Sequence, residues 1–297
     1  PTQRSTQHPS VGEMLLSALL YPDHLDPIFF GVWTLGLLVL MPLVAVVCRR
    51  SRTFASQPMV AAYDLTTLIP VVTLSWLGFR MLLGDPSVHE IPTRSSAFVE
   101  HTPELIMIQV AYQVFGTVAA LVIGPPLRTP PMIAHHVATG LTAWLSLQGH
   151  CMYYAIYFAG VVELTNIPLT FMDLCGYFPV LEQRHPGVSA ATRLSFALGF
   201  IALRLLGWMP ALVRYLRDLR DLAPDEPLVV GIMATTAVII TGLQIFWGYK
   251  VAQVAQVAHE GGHPAEQAQR DKAERKAEAR GRTHARVPLL EHRKVPA

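Results

Sequence analysis

Residues 29–48 read FFGVWTLGLLVLMPLVAVVC, twenty consecutive positions without a charge. At ~1.5 Å of rise per residue such a run is ~30 Å long, the thickness of the hydrocarbon layer of a bilayer. A second uncharged run covers Leu105 to Gly124, and a third Leu228 to Tyr249. Four further stretches are as apolar but interrupted: Pro58 to Leu83 by Asp64 and Arg80, Pro131 to Gly149 by His135 and His136, Cys151 to Met172 by Glu163, and Thr192 to Val213 by Arg193 and Arg204. The pattern predicts an all-α, polytopic transmembrane bundle of about seven spans, with the fourth and fifth forming a tight hairpin.

The whole chain of 297 residues agrees: 52% is apolar and only 15% charged, against roughly 25% charged in soluble domains. Three cysteines (Cys48, Cys151, Cys175) have no CxxC spacing, so neither a zinc site nor a disulfide framework is implied. Three segments follow: residues 1–28 with a short interfacial helix over Val11 to Leu20, a bundle over 29–258, and a charged, partly helical tail over 259–297. In that tail Glu266–Arg270, Asp271–Arg275 and Glu278–Arg282 are spaced i,i+4 with the acid first, the favourable order on a helix. With seven spans, Arg49, Arg50, Arg52, Arg128, Arg184, Arg193 and all ten basic residues from Lys250 onward share one face. Only Arg4, Arg94, Arg214, Arg217 and Arg220 fall on the other. The bias puts the C-terminus on the positive-inside side.

An ionisable group at the membrane centre costs roughly 2.5–3.5 kcal/mol on insertion scales, so each needs a partner or a task. Counted from the C-terminal-side face, Asp64 lies ~9 Å deep, His135 and His136 ~6–8 Å, Glu163 ~14 Å, Arg204 ~16 Å and Gln244 ~9 Å. Five spans therefore place polar groups in the same half, which reads as a one-sided pocket rather than a path reaching both faces. His135, Thr139 and Thr142 share one helical stripe; Glu163, Asn166, Thr170 and Asp173 share another. Adjacent histidines point ~100° apart, so at most one looks straight into a pocket. Glu163 is expected to pair with Arg204 or with a histidine. A metal site is not indicated, nor nucleic-acid binding. Retinal would require a lysine inside a span, and the nearest, Lys250, is at the rim. Bis-histidine haem would require a second imidazole facing the first from another helix.

The run His135-His136-Val137-Ala138-Thr139, then Glu163-Leu164-Thr165-Asn166-Ile167-Pro168, then Arg204 and Leu243-Gln244-Ile245-Phe246-Trp247, resembles the TLC domain family (TRAM, LAG1 and CLN8 homology) over roughly residues 50 to 258. The resemblance implies a helical bundle that handles lipids or assists membrane proteins. In the family's ceramide synthases a histidine pair is thought to supply the base for acyl transfer from acyl-CoA to an amine. Those enzymes also carry a His-Asp-x-x-Asp run, and here Val162, Glu163 and Asn166 stand at the matching places. The likeness is therefore to the less-characterised branch.

Two readings follow. In the first, Asp64, Thr139, Asn166, Arg204 and Gln244 line a lipid pocket in a non-catalytic accessory subunit, whose partners are membrane lipids and, through the termini, other membrane proteins. In the second, His135 or His136 is the base and Glu163 its orienting group in an acyl-CoA-dependent acyltransferase. No cofactor is implied in either; acyl-CoA enters only as the substrate of the second. An intracellular organelle membrane is expected, the endoplasmic reticulum by family resemblance, or the mitochondrial inner membrane for a complex subunit.

Overall fold

The computed structural model describes residues 22–84, 88, 91 and 94–259. The interfacial helix expected over Val11 to Leu20 and the tail helix over Pro264 to Arg286 lie outside the described residues. Eight helices follow in order among those described: α1 (Pro27–Arg50), α2 (Pro58–Gly84), α3 (Thr102–Ile123), α4 (Pro130–Ser146), α5 (Met152–Tyr177), the short α6 (Pro179–Arg184), α7 (Pro186–Leu222) and α8 (Pro227–His259). No strand occurs among the described residues. Six of the helices are long and apolar enough to cross a membrane. The seventh expected span, α4, has 17 residues and a length of ~25 Å.

Local chemistry marks the helix starts. Proline opens α1, α2, α4, α6, α7 and α8, a position where its missing N–H costs nothing. The Asp26 carboxylate caps α1 by accepting from the amides of Ile28 (2.9 Å) and Phe29 (3.0 Å), and the Thr129 hydroxyl caps α4 at Met132 (3.4 Å). Gly124, with φ of 76°, ends α3 in a backbone conformation that favours glycine.

Helix α3 is the central element, buried on nearly all sides and packed against α1, α2 and α4. By contrast α1 buries a single stripe, Leu37, Met41, Ala45 and Cys48. Its other face exposes Val32, Leu35, Val39 and Leu43, as expected of a surface whose solvent is lipid. Three apolar clusters result. One joins α1–α4 with the start of α5; a second joins α4, α5, α7 and α8 around Trp208, Tyr215 and Met233; a small third brings Cys48 and Ala61 against Leu174 and Phe178.

Two helices are wound irregularly. Within α5, residues Ile156–Gly160 form a π turn and Val161–Thr165 a 3₁₀ turn; within α7, Phe200–Gly207 is π-wound. Gly160 sits against Gly78 of α2, where a Cβ on Gly78 would lie 2.6 Å from the Gly160 Cα. Only glycine permits that backbone approach. Across from it, the Tyr157 hydroxyl donates to the Leu203 carbonyl inside the α7 π segment (2.7 Å).

The chain divides into two compact units, residues 1–246 and 247–297.

Candidate functional site

Helices α4, α5, α7 and α8, with Gln109 of α3, enclose a cavity of about 70 Å³. Its polar floor is His135, Glu163, Arg204 and Gln244 beside Gln109; its walls are apolar, including Phe158, Trp208, Leu212 and Ile240. Both irregular segments contribute, since Phe158, Ala159, Val162 and Glu163 belong to the first and Arg204 to the second. Such windings recur at functional sites because they turn side chains off the regular helical register.

Glu163 is 3% exposed and Arg204 5%, so each charge needs compensation. The expected direct pair does not form, and no ion pair joins them among the described residues. Instead the Asn166 amide stands between: its Nδ2 donates to Glu163 Oε2 (2.5 Å) and its Oδ1 accepts from Arg204 Nη2 (2.9 Å). The second carboxylate oxygen accepts from Gln109 Nε2 (3.2 Å). Arg204 completes its fork through Nε to the Thr165 hydroxyl (2.6 Å), Nη1 to Gln244 Oε1 (3.4 Å) and Nη2 to the Val162 carbonyl (3.5 Å). The hydrogen bonds described on Glu163 thus come from amides, one to each oxygen.

The walls run from this floor toward Ser146, Cys151, Tyr154 and Tyr215. Those residues lie at the ends of α4, α5 and α7 remote from the C-terminal-side face. Polar groups therefore continue into the half expected to lack them. Gln109 lies seven residues into α3 from that remote end, and the Tyr154 hydroxyl donates to Asp218 (2.5 Å). The Thr142 and Thr236 hydroxyls meet at 2.5 Å and tie α4 to α8. Two buried atoms of the lining, Gln109 Oε1 and Tyr215 Oη, have no hydrogen-bond partner. Cys151 is 1% exposed, so this cysteine is not a ready nucleophile.

The family model of the TLC domain (TRAM, LAG1 and CLN8 homology) matches residues 64–253. The chain belongs to the TLC domain family. No curated protein and no solved structure matches it significantly.

Within this TLC domain the expected site residues separate. His135, Thr139, Glu163, Arg204 and Gln244 line the cavity, and Asn166 bridges beneath it. His136 does not line it: one residue further along α4, it turns to α3, where its Nδ1 bonds Gln113 Oε1 (2.6 Å) and its ring lies against Gly116. Asp64 does not line it either. It is 4% exposed, near Asp173 and Tyr177 at the far end of α5. The expected stripe of α5 thus serves two levels, Glu163 and Asn166 at the cavity and Asp173 beside Asp64, because Asp173 lies ~10 Å further along the regular helix that begins at Asn166. Gln109 and Gln113 were not anticipated, although two glutamines at i,i+4 in the otherwise uncharged run Leu105 to Gly124 were a legible signal.

Proposed function

We propose that this TLC-domain protein binds the polar end of a lipid in the cavity and does not turn it over, acting as an accessory subunit of a larger membrane assembly. One observation carries the reading: both oxygens of Glu163 are held by the amides of Gln109 and Asn166. A histidine base is oriented by an acceptor on its second nitrogen, and the hydrogen bonds described on this carboxylate come from amides instead. The unpartnered Gln109 Oε1 and Tyr215 Oη offer hydrogen bonding to a ligand along apolar walls. A volume of about 70 Å³, against ~300–1,000 Å³ for a pocket that engulfs a small molecule, suits one end of a lipid whose remainder stays in the bilayer. The ion-pairing sequence of the C-terminal tail supports docking on protein partners. The basic bias supports a C-terminus on the positive-inside face of an organelle membrane, endoplasmic reticulum or mitochondrial inner membrane.

The test is purification of the full chain from native membranes in mild detergent. The expected result is co-migrating membrane proteins, an intact lipid on extraction and mass spectrometry, and loss of that lipid in Arg204→Met. A lone monomer without lipid refutes the reading. The placement of His135 in the cavity favours a second one, acyl-CoA-dependent acyl transfer with His135 as base. It requires an acyl-CoA-consuming activity that disappears in His135→Ala with folding intact.

A further inference from the structure

His136, set apart from the cavity, takes part in a different constellation. With Gln113 it lines a groove of about 490 Å³ between α3 and α4, on whose apolar sides Phe30, Val114, Val118 and Trp144 stand. Val114, Val118 and Val137 are exposed on the lipid-facing surface. Two nitrogens of the groove residues, His136 Nε2 and Gln113 Nε2, are buried without a hydrogen-bond partner, and the residues themselves are 3% and 1% exposed.

The 2.6 Å contact between His136 Nδ1 and Gln113 Oε1 fixes what those nitrogens want. Oε1 has no hydrogen, so Nδ1 donates, and His136 Nε2 is left as an acceptor. Gln113 Nε2 is left as a donor. Turning the amide over exchanges the two roles and leaves the same complement: one donor and one acceptor. A hydroxyl is the smallest group that answers both, its O–H donating to one nitrogen's lone pair while its oxygen accepts from the other. No Asp, Glu, Lys or Arg lines the groove, so an acid, amine or phosphate there would bring an uncompensated charge. The volume lies within the range of small-molecule pockets.

We infer that the α3–α4 groove is a second lipid site, selective for a neutral lipid bearing one free hydroxyl, which bridges His136 and Gln113. It shares no lining residue with the Glu163–Arg204 cavity and stands whether or not the cavity binds lipid.

The experiment uses the full chain in phosphatidylcholine vesicles and two matched probes: a long-chain alcohol carrying a diazirine and an alkyne, and its methyl ether. The ether keeps the oxygen and the chain but cannot donate. The alcohol is expected to label peptides spanning residues 110–118 and 137–144 about tenfold more than the ether, the order of magnitude of one to two buried hydrogen bonds. His136→Phe and Gln113→Met, which keep the bulk and remove the polar atoms, should each lower the alcohol to the ether's level. Equal labelling by both probes in the wild type, as when a buried water alone serves the pair, overturns the proposal. So does an alcohol preference that survives in His136→Phe, or one confined to the peptides of the cavity. The wild-type comparison decides the matter even if a variant fails to fold.

Discussion

Replacing Arg204 by methionine removes the guanidinium while keeping a flexible apolar chain in its place. Four hydrogen bonds go with it, to Thr165, Asn166, Gln244 and the Val162 carbonyl. Interhelical bonds of this kind average ~0.6 kcal/mol in membranes, which sets their joint loss at about 2 kcal/mol. The larger effect falls on Glu163, left buried without its compensating charge. Breaking a buried pair from one side costs ~3–5 kcal/mol, so Arg204→Met should destabilise by about 4 kcal/mol and Glu163→Gln by about 3 kcal/mol. The double variant removes both charges together and should lose only about 3 kcal/mol, well short of the additive sum. Equilibrium unfolding in mixed micelles, followed by the fluorescence of the five tryptophans, reads all three values. A double variant that merely adds the two single costs refutes the claim that the charges compensate each other. Repeating the cycle in an Asn166→Ala background tests the bridge itself, since an unchanged coupling there means the amide carries none of it.

Three further outcomes follow from the packing and the loop chemistry. Gly78→Ala places a methyl 2.6 Å from the Gly160 Cα and should cost about 2 kcal/mol; an unchanged thermal midpoint would show that α2 and α5 yield at this crossing. Tyr157→Phe deletes the bond to the Leu203 carbonyl and should cost only about 0.6–1 kcal/mol, visible as faster amide exchange in the π segment of α7. Cys151, 1% exposed, should react with maleimide at pH 8 at least ~10-fold more slowly than an exposed free cysteine. Labelling at pH 8 at the ordinary rate would contradict the buried placement.

What the sequence made legible was everything governed by hydrophobic length and regular helical angle. The charge-free runs Phe29 to Cys48, Leu105 to Gly124 and Leu228 to Tyr249 fall inside helices apart from the capping Gly124, and the ~100° between neighbours already separated His135 from His136. Helix α7 runs beyond its expected apolar stretch to Leu222 because Leu212, Tyr215 and Leu219 bury one face while Arg214, Arg217 and Arg220 remain exposed on the other. The partner of Glu163 was not legible. A regular helix was assumed through α5, and the π and 3₁₀ turns between Ile156 and Thr165 break that periodicity. Amides also stand where a direct pair was expected, since Gln109 and Asn166 reach the carboxylate from α3 and α5 and Asn166 relays it to Arg204. Nor could periodicity show that Asp64 and Asp173 keep company at the other end of α5, because it orders residues along one helix and says nothing of which helices meet.

The irregular windings and the cavity share one cause. At Gly78 and Gly160, α2 and α5 approach to backbone contact, and on the same stretch Tyr157 holds α5 to the Leu203 carbonyl of α7. Satisfying both contacts within one turn of α5 is incompatible with a uniform 3.6-residue winding, so the segment widens and then tightens. The extra residue of the wide turn rotates Glu163 toward α3 and the 3₁₀ turn carries Asn166 beneath it, where the amide can reach Arg204. On the opposite side α4 and α8 join this core mainly through side chains such as Thr142 and Thr236, and the space they leave is the cavity. Close packing on one flank of α5 thus sets the polar floor on the other. A substitution at Gly78 should therefore perturb the proposed lipid binding some distance away, in step with its effect on the Glu163–Asn166–Arg204 chain. Gly78→Ala that loses stability while retaining the native lipid complement would break this link between the crossing and the site.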